Sequence, residues 1–335
     1  MNQDEIYPWL QPAWQDWKKL NSRLGHAYLI SALPGVGMES WIRTLAKAAL
    51  CPNTAAHDQT ACGQCSSCHL FDTDQHPDFY HLHRLPDKKE IGVDQIREFI
   101  YQQQETAHQG GYKVAWIEGV EHLNLSAFNA LLKTLEEPGE RSLFLLSCHQ
   151  VANLPATIKS RCQQIHLPTP PLEVANQWLS MQCPQMDQAL LKRALRINWG
   201  APLKALRWIK EGKFDEDREW NEALKQLQSG KKNVVQVCAQ WLKWPHPEAV
   251  FDYFYQWSVG FIRHQVYPQA GNLQTDEVSA ALKFQQQVLT AKSFWQRNAN
   301  KELVLENLCL QWLALQQGKQ DESIFRSQLN RGQLV

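Results

Sequence analysis

From its amino terminus to about residue 167 the chain alternates short apolar runs with stretches of helical period, and beyond that it is helical throughout. The runs His26–Ser31, Asp78–His83, Tyr112–Glu118, Leu143–Cys148 and Gln164–Leu167 are short and nearly continuous. Strands of a parallel sheet covered on both faces read this way. Apolar residues recur at helical spacing over Trp9–Leu20, Met38–Leu50, Asp94–Glu105 and Ser126–Glu137. Ser126 is the expected N-cap of the last helix, and Pro138 fits just past its end. The alternation predicts a doubly wound parallel α/β domain over residues 1–167.

Pro168-Thr169-Pro170-Pro171 breaks that pattern and marks a boundary. Leu172–Met181, Met186–Asn198 and Pro202–Lys210 then predict a small helical domain over 168–212. Longer helical patterns at Glu216–Gln228, Val234–Trp244, Glu248–Gln265, Thr275–Thr290 and Lys301–Gln317 predict a larger helical domain over 213–335. The 14 tryptophans, among them Trp241, Trp244, Trp257, Trp295 and Trp312, are expected mainly as core and interface anchors, with no chemistry assigned.

The turn after the first strand carries the most pointed motif. Ala32-Leu33-Pro34-Gly35-Val36-Gly37-Met38-Glu39 stands in the register of G-x-x-x-x-G-K-[ST]. In a working phosphate loop the lysine reaches the phosphates and the hydroxyl holds Mg²⁺. Here Met38 and Glu39 take those places, while Gly35 and Gly37 can still bend the backbone. A lost contact between unit charges is worth roughly 4 kcal/mol at 4 Å and an effective dielectric near 20. Glu39 adds a negative charge beside the phosphate position. The shape of the loop is expected to survive and productive ATP binding is not. The helix start after Gly37 can still attract an anion weakly. The plainer alternative is a strand-to-helix turn that merely needs two glycines.

Cys51, Cys62, Cys65 and Cys68 form C-x10-C-x2-C-x2-C, four of nine cysteines in the chain. Four thiolates at this spacing suit tetrahedral Zn²⁺ and leave no open coordination position, so a structural zinc module inserted at about 51–68 is expected. His57, His69, His76 and His81 lie close enough in sequence to replace one sulfur. An iron–sulfur cluster and four unligated thiols are the other readings.

Lys+Arg and Asp+Glu both number 34, which removes any global positive field for nucleic-acid binding. Residues Met1–Glu5 lack the features of an export signal, and no apolar run reaches a membrane span. With clustered rather than paired cysteines, a reducing cytoplasmic location is expected.

Several stretches together resemble one family. They are Gly25-His26-Ala27-Tyr28-Leu29-Ile30 before the loop, His76-Pro77-Asp78-Phe79-Tyr80, Asn129-Ala130-Leu131-Leu132-Lys133-Thr134-Leu135-Glu136-Glu137-Pro138, and Ser160-Arg161-Cys162. The sequence over about 25–165 is similar to the sliding-clamp loaders, a branch of the AAA+ ATPases. The resemblance implies an AAA+ α/β domain, a helical lid and a helical collar that joins a ring of subunits. It implies a hetero-oligomer with the loader's ATPase subunits and its clamp-opening subunit, and through them contact with the ring clamp and primed DNA.

Against that family the chain shows further losses. Glu118 and Gly119 stand where an active relative has an Asp-Glu pair, and Glu121 is a poor substitute, read otherwise as a solvated charge. Leu203 stands near the lid arginine that senses phosphate, with Lys204 one residue off. The resemblance therefore implies a subunit without ATP hydrolysis of its own. Ser160-Arg161-Cys162 matches the arginine-finger motif, so Arg161 is expected to reach a neighbour's γ-phosphate in trans, an effect worth roughly 10³–10⁵ in rate where measured. Lys133 and Glu136 share a helix face and read either as a surface ion pair or as an inter-subunit contact. The competing functions are a divergent ATPase using Lys47 as substitute lysine, and a zinc-containing nucleic-acid adaptor.

Overall fold

The computed structural model describes residues 6–20, 24–54, 60–104, 111–266, 275–297 and 299–316. The chain divides into two compact units, Met1–Leu206 and Arg207–Val335. Pro168–Pro171 lies inside the first.

The first unit is built on five strands, β1 (Ala27–Ser31), β2 (Phe79–Leu82), β3 (Lys113–Glu118), β4 (Ser142–Cys148) and β5 (Gln163–His166), in the order β2-β3-β4-β1-β5. Every pairing is parallel, with Leu29 opposite Leu146 on one side and Gln164 on the other. The helices of this unit are α1 (Gln11–Lys19), α2 (Met38–Leu50), α3 (Ser66–Asp72), α4 (Val93–Gln104), α5 (Leu125–Glu136), α6 (Ala156–Lys159), α7 (Leu172–Gln182) and α8 (Gln188–Ile197); α9 (Pro202–Lys210) runs across the division.

Burial follows strand position. β1 and β4 are buried at every residue, and β3 at all but Glu118. The edge strands differ. β2 is half-buried, and Gln163, Gln164 and His166 of β5 are exposed. The expectation of uniformly covered strands is corrected there, because an edge strand has a neighbour on one side only. One core cluster joins Leu29, Ile117 and Leu146 of the sheet to Phe99 of α4 and Leu131 and Leu135 of α5. Elsewhere in the unit Trp17 of α1 meets Tyr28 of β1 edge-on at 4.7 Å, and Trp14 and Trp17 both meet the fully buried Trp41 of α2.

The N-cap of α5 is Asn124, whose side-chain oxygen accepts the Ala127 N–H at 2.9 Å. Ser126 stands inside the first turn, so the cap expected there is corrected: Asn124 has the extended backbone that a cap requires, at φ −74° and ψ 166°. Among the described residues after Leu167 there is no strand.

The second unit holds α10 (Phe214–Gln228), α11 (Val234–Trp241), α12 (Ala249–Val266), α13 (Thr275–Gln296) and α14 (Lys301–Gln316). Phe254 of α12 sits at its centre, within 5.4–6.4 Å of Trp220, Trp241, Phe284 and Trp312. All the tryptophans of the chain are buried except Trp199 and Trp257, in keeping with the core role expected of them.

Candidate functional site

Gly35 and Gly37 both adopt the left-handed backbone, at φ +84° and +98°. Glycine takes that conformation without steric penalty, so the loop keeps the bend its sequence predicts. The space above the bend is filled by the chain itself. A β-carbon built on Gly37 would stand 2.5 Å from the Tyr7 ring, and one on Gly35 would stand 2.6 Å from Cβ of Lys204. The Trp9 indole N–H donates to the Val36 carbonyl at 2.8 Å. The Leu203 N–H donates to the Gly35 carbonyl at 3.1 Å. Tyr7 stacks on Trp9 at 5.0 Å, and Trp178 meets both rings edge-on. Met38 is buried. Lys204 thus meets the loop through its backbone and β-carbon, and Leu203 lies over Gly37.

Lys47 stands nine residues beyond Met38, about 14 Å along α2. It pairs there with Asp72 of α3, well away from the loop.

The carboxyl ends of the strands beside the loop are tied together by histidines. Glu118, at the end of β3, accepts a hydrogen bond from His81 Nε2 at 2.9 Å. That bond, opposed by burial and helped by the nearby His83 and His149, holds its carboxyl below the usual range. His81 stacks on Trp116 at 4.0 Å. Glu121 is half-buried and accepts the His149 backbone N–H at 2.8 Å, so it joins the turn after β3 to the end of β4 rather than standing free in solvent. His149 donates from Nδ1 to the Ala32 carbonyl at 2.9 Å, and its Nε2 faces Glu39 at 3.7 Å. A single imidazole therefore contacts two of the positions at which the motif is altered. No pattern in the sequence pointed to His149, since a histidine after an apolar run carries no spacing signal.

The four cysteines converge. Their Sγ atoms all lie within 4.8 Å of one another. Cys51 closes α2, Cys65 caps α3, and Cys68 lies in its first turn. Cys51–Cys65 and Cys62–Cys68 are each 3.9 Å apart, far beyond a disulfide. Four sulfurs about 2.3 Å from a tetrahedral Zn²⁺ would stand about 3.8 Å apart, so the residues present fit that ion. Backbone N–H groups of Cys62 and Cys68 point at the sulfurs of Cys51 and Cys65, each at 3.4 Å. The N–H groups of Gln64 and Cys65 lower the Cys62 thiol to about 6. Burial raises Cys51, and burial with the neighbouring sulfurs raises Cys68. Such crowding resists four negative charges until a cation shares them. None of His69, His76 and His81 joins the cluster; His57 lies outside the described residues. His76 is instead buried against α3, bonded to Ser67 Oγ at 2.8 Å.

Arg161 follows the single turn of α6 and precedes edge strand β5. Its neighbour Cys162 is buried in the sheet core. The guanidinium donates through Nε to Glu136 Oε1 at 2.7 Å, through Nη2 to the same oxygen, and through Nη1 to the Thr157 carbonyl at 3.0 Å. Glu136 is the last residue of α5. Sequence spacing joined it to Lys133, which is exposed on the same helix; the structure joins it to Arg161.

A five-stranded parallel sheet in this order, a glycine-bent loop between β1 and α2 and an inserted cysteine knuckle form the arrangement that the resemblance to the clamp loaders implied. A family model described as DNA polymerase III, delta subunit, matches residues 12–171. DNA polymerase III subunit delta' of Pseudomonas aeruginosa is 32% identical over 328 residues, covering 93% of this chain and 98% of that protein. The Haemophilus influenzae protein of the same name is 43% identical over 216 residues, 64% of either chain, so that match spans under two thirds of that relative. DNA polymerase III subunit tau of Escherichia coli is 39% identical over 145 residues, 43% of this chain and 22% of that protein. The chain belongs to the delta' family of DNA polymerase III clamp-loader subunits. No helix among the described residues is long and apolar enough to cross a membrane.

Proposed function

We propose that this chain is the non-catalytic delta' subunit of a polymerase III clamp loader, supporting ATP-driven loading of the sliding clamp onto primed DNA. In this reading it hydrolyses no ATP and supplies Arg161 as an arginine finger to a neighbouring ATPase subunit. Residues 1–167 act as the AAA+ domain, 168–212 as the lid and 213–335 as the collar that joins the ring. The partners are the gamma/tau ATPase subunits and the delta subunit, with the beta clamp and primed DNA reached through the complex in the cytoplasm. Zn²⁺ would be held by Cys51, Cys62, Cys65 and Cys68, where it fixes the end of α2 against α3 and takes no part in chemistry.

One observation carries the reading. The loop that would cradle phosphates is filled by Tyr7, Trp9 and Leu203 of the same unit, while Arg161 stands part-exposed at the edge of that sheet. Losing the lysine, the Mg²⁺ hydroxyl and the acidic pair together removes the charges that hold a nucleotide. Keeping the planar guanidinium preserves a group that matches phosphate oxygens and stays charged at any physiological pH.

The experiment is ATP hydrolysis by a reconstituted loader with clamp and primed DNA, comparing wild type with Arg161→Ala. Expected are an isolated chain with no ATP binding in equilibrium dialysis, and an assembled mutant slowed by at least tenfold, where a finger supplied in trans is worth up to roughly 10³–10⁵. Hydrolysis by the isolated chain would overturn the reading of the loop. An assembled mutant with unchanged turnover would overturn the finger.

A further inference from the structure

The guanidinium of Arg161 has five N–H donors, and three are committed. Nε–H and one Nη2–H share a single oxygen of Glu136, which grips one side of the fork. One Nη1–H is held by the Thr157 carbonyl at 3.0 Å. Among the described residues this leaves one N–H on Nη1 and one on Nη2. Those two donors, on the terminal nitrogens, are what a bidentate bond to two phosphate oxygens requires.

The grip has structural backing. Glu136 ends α5, whose Leu131 and Leu135 are buried in the sheet core, and Arg161 is followed by Cys162 in the same core. Both partners are therefore anchored through immediate neighbours to one rigid body, and the pair spans 25 residues of sequence. A free arginine explores many rotamers and loses that freedom when it docks. One already held in a plane loses less on meeting its ligand.

We propose that Glu136 is a positioning residue for Arg161: it holds the guanidinium side-on, so that its remaining N–H pair is oriented for the γ-phosphate of a nucleotide bound by the adjoining subunit. The proposal rests on the trans-finger reading above. A carboxylate so close to the finger has a second consequence. It partly offsets the positive charge until a more highly charged phosphate arrives. Glu136 touches no substrate and acts only through Arg161.

The test is steady-state ATP hydrolysis by the fully assembled loader with clamp and primed DNA. The variants are Glu136→Ala, Glu136→Gln, Arg161→Ala and the double Glu136→Ala/Arg161→Ala, each checked for assembly by gel filtration. Expected is a fall in kcat on the order of tenfold to a hundredfold for Glu136→Ala with little change in KM, since misplacing a reacting group by about 1 Å has that effect. Glu136→Gln keeps an acceptor oxygen and is expected to recover most of the rate. The double variant is expected to be no slower than Arg161→Ala alone, because Glu136 has nothing left to position. A normal rate for Glu136→Ala beside a slow Arg161→Ala overturns this proposal and leaves the finger intact. A double variant slower than Arg161→Ala by the full Glu136→Ala factor also overturns it, since Glu136 then acts elsewhere. A normal rate for Arg161→Ala removes the finger and this proposal with it.

Discussion

The ring of Tyr7 lies directly over Gly37, so close that a β-carbon on the glycine would stand 2.5 Å from ring carbon Cδ2. Glycine at this position thus answers to two demands at once, a left-handed backbone at φ +98° and a covering aromatic ring. In a phosphate loop the same glycine would leave room for a ligand.

Gly37→Ala is expected to lower stability by roughly 2–4 kcal/mol in urea unfolding, combining backbone strain with overpacking. In a Tyr7→Ala background the same change is expected to cost about half as much, because the steric part is gone and the strained φ remains. Equal losses in both backgrounds would show that the ring does not cover the loop.

The purified chain is expected to carry one Zn²⁺, measured by mass spectrometry of the metal. Cys62→Ser and Cys68→Ser are each expected to lose it, whereas His69→Ala keeps it, since His69 stands outside the sulfur cluster. Stripping the ion with a chelator is expected to remove about 2–5 kcal/mol of stability. Full retention of metal by both serine variants would end the four-thiolate assignment.

His76 gives the chain a pH dependence whose sign can be worked out. Its Nδ1 accepts the Asp78 N–H at 3.0 Å, so the proton sits on Nε2 and is donated to Ser67 Oγ; the Ser67 hydroxyl then donates to the Leu50 carbonyl at 2.9 Å. Burial holds the imidazole below its ordinary value of 6.5, against a smaller pull upward from Asp78. The unfolded chain therefore binds the proton first as pH falls. His76 contributes its full stability above 6.5 and progressively less below it. Thermal unfolding between pH 7.5 and 5 is expected to show a shallower fall in Tm for His76→Gln than for wild type. Parallel profiles would contradict the assignment.

Asn124→Ala is expected to lower stability by about 1 kcal/mol through loss of the α5 cap, and Ser126→Ala by a few tenths or less. Chemical denaturation of the two variants side by side decides between them, and the reverse order would place the cap where the sequence alone put it.

The middle of the sheet was legible in the sequence because its strands are covered on both sides: β1, β3 and β4 are apolar through their centres, at Ala27–Ile30, Val114–Ile117 and Leu143–Leu146. β5 was located within one residue, yet its Gln163-Gln164 start gives no apolar signal, and its exposure could be known only from its place at the edge. Two helices escaped. α6 has four residues, too few for a 3.6 period to show, and α3 has seven, its first turn capped by a cysteine sulfur. Ser126 and Asn124 are both good caps, and only the backbone angles separate them. The sequence disclosed what the phosphate loop lacks, and that Cys51, Cys62, Cys65 and Cys68 form one set, whose sulfurs the structure brings together. It did not disclose what fills the loop, because Tyr7, Trp9, Trp178 and Leu203 come from distant segments that no periodicity connects. The Glu136–Arg161 pair stayed hidden for the same reason: Lys133 is three residues from Glu136 and Arg161 is 25.

The covering of the loop by Tyr7 and Trp9 has a further consequence, which concerns competition. A nucleotide entering from solution would face a rival joined to the same polypeptide, present at every loop and never diluted away. Tethered groups of this kind act at an effective concentration on the order of millimolar when the link is short and flexible. Here the rings are moreover stacked and hydrogen-bonded in place. On the proposed reading, raising the free nucleotide is expected to gain little ground against rings already docked on the loop.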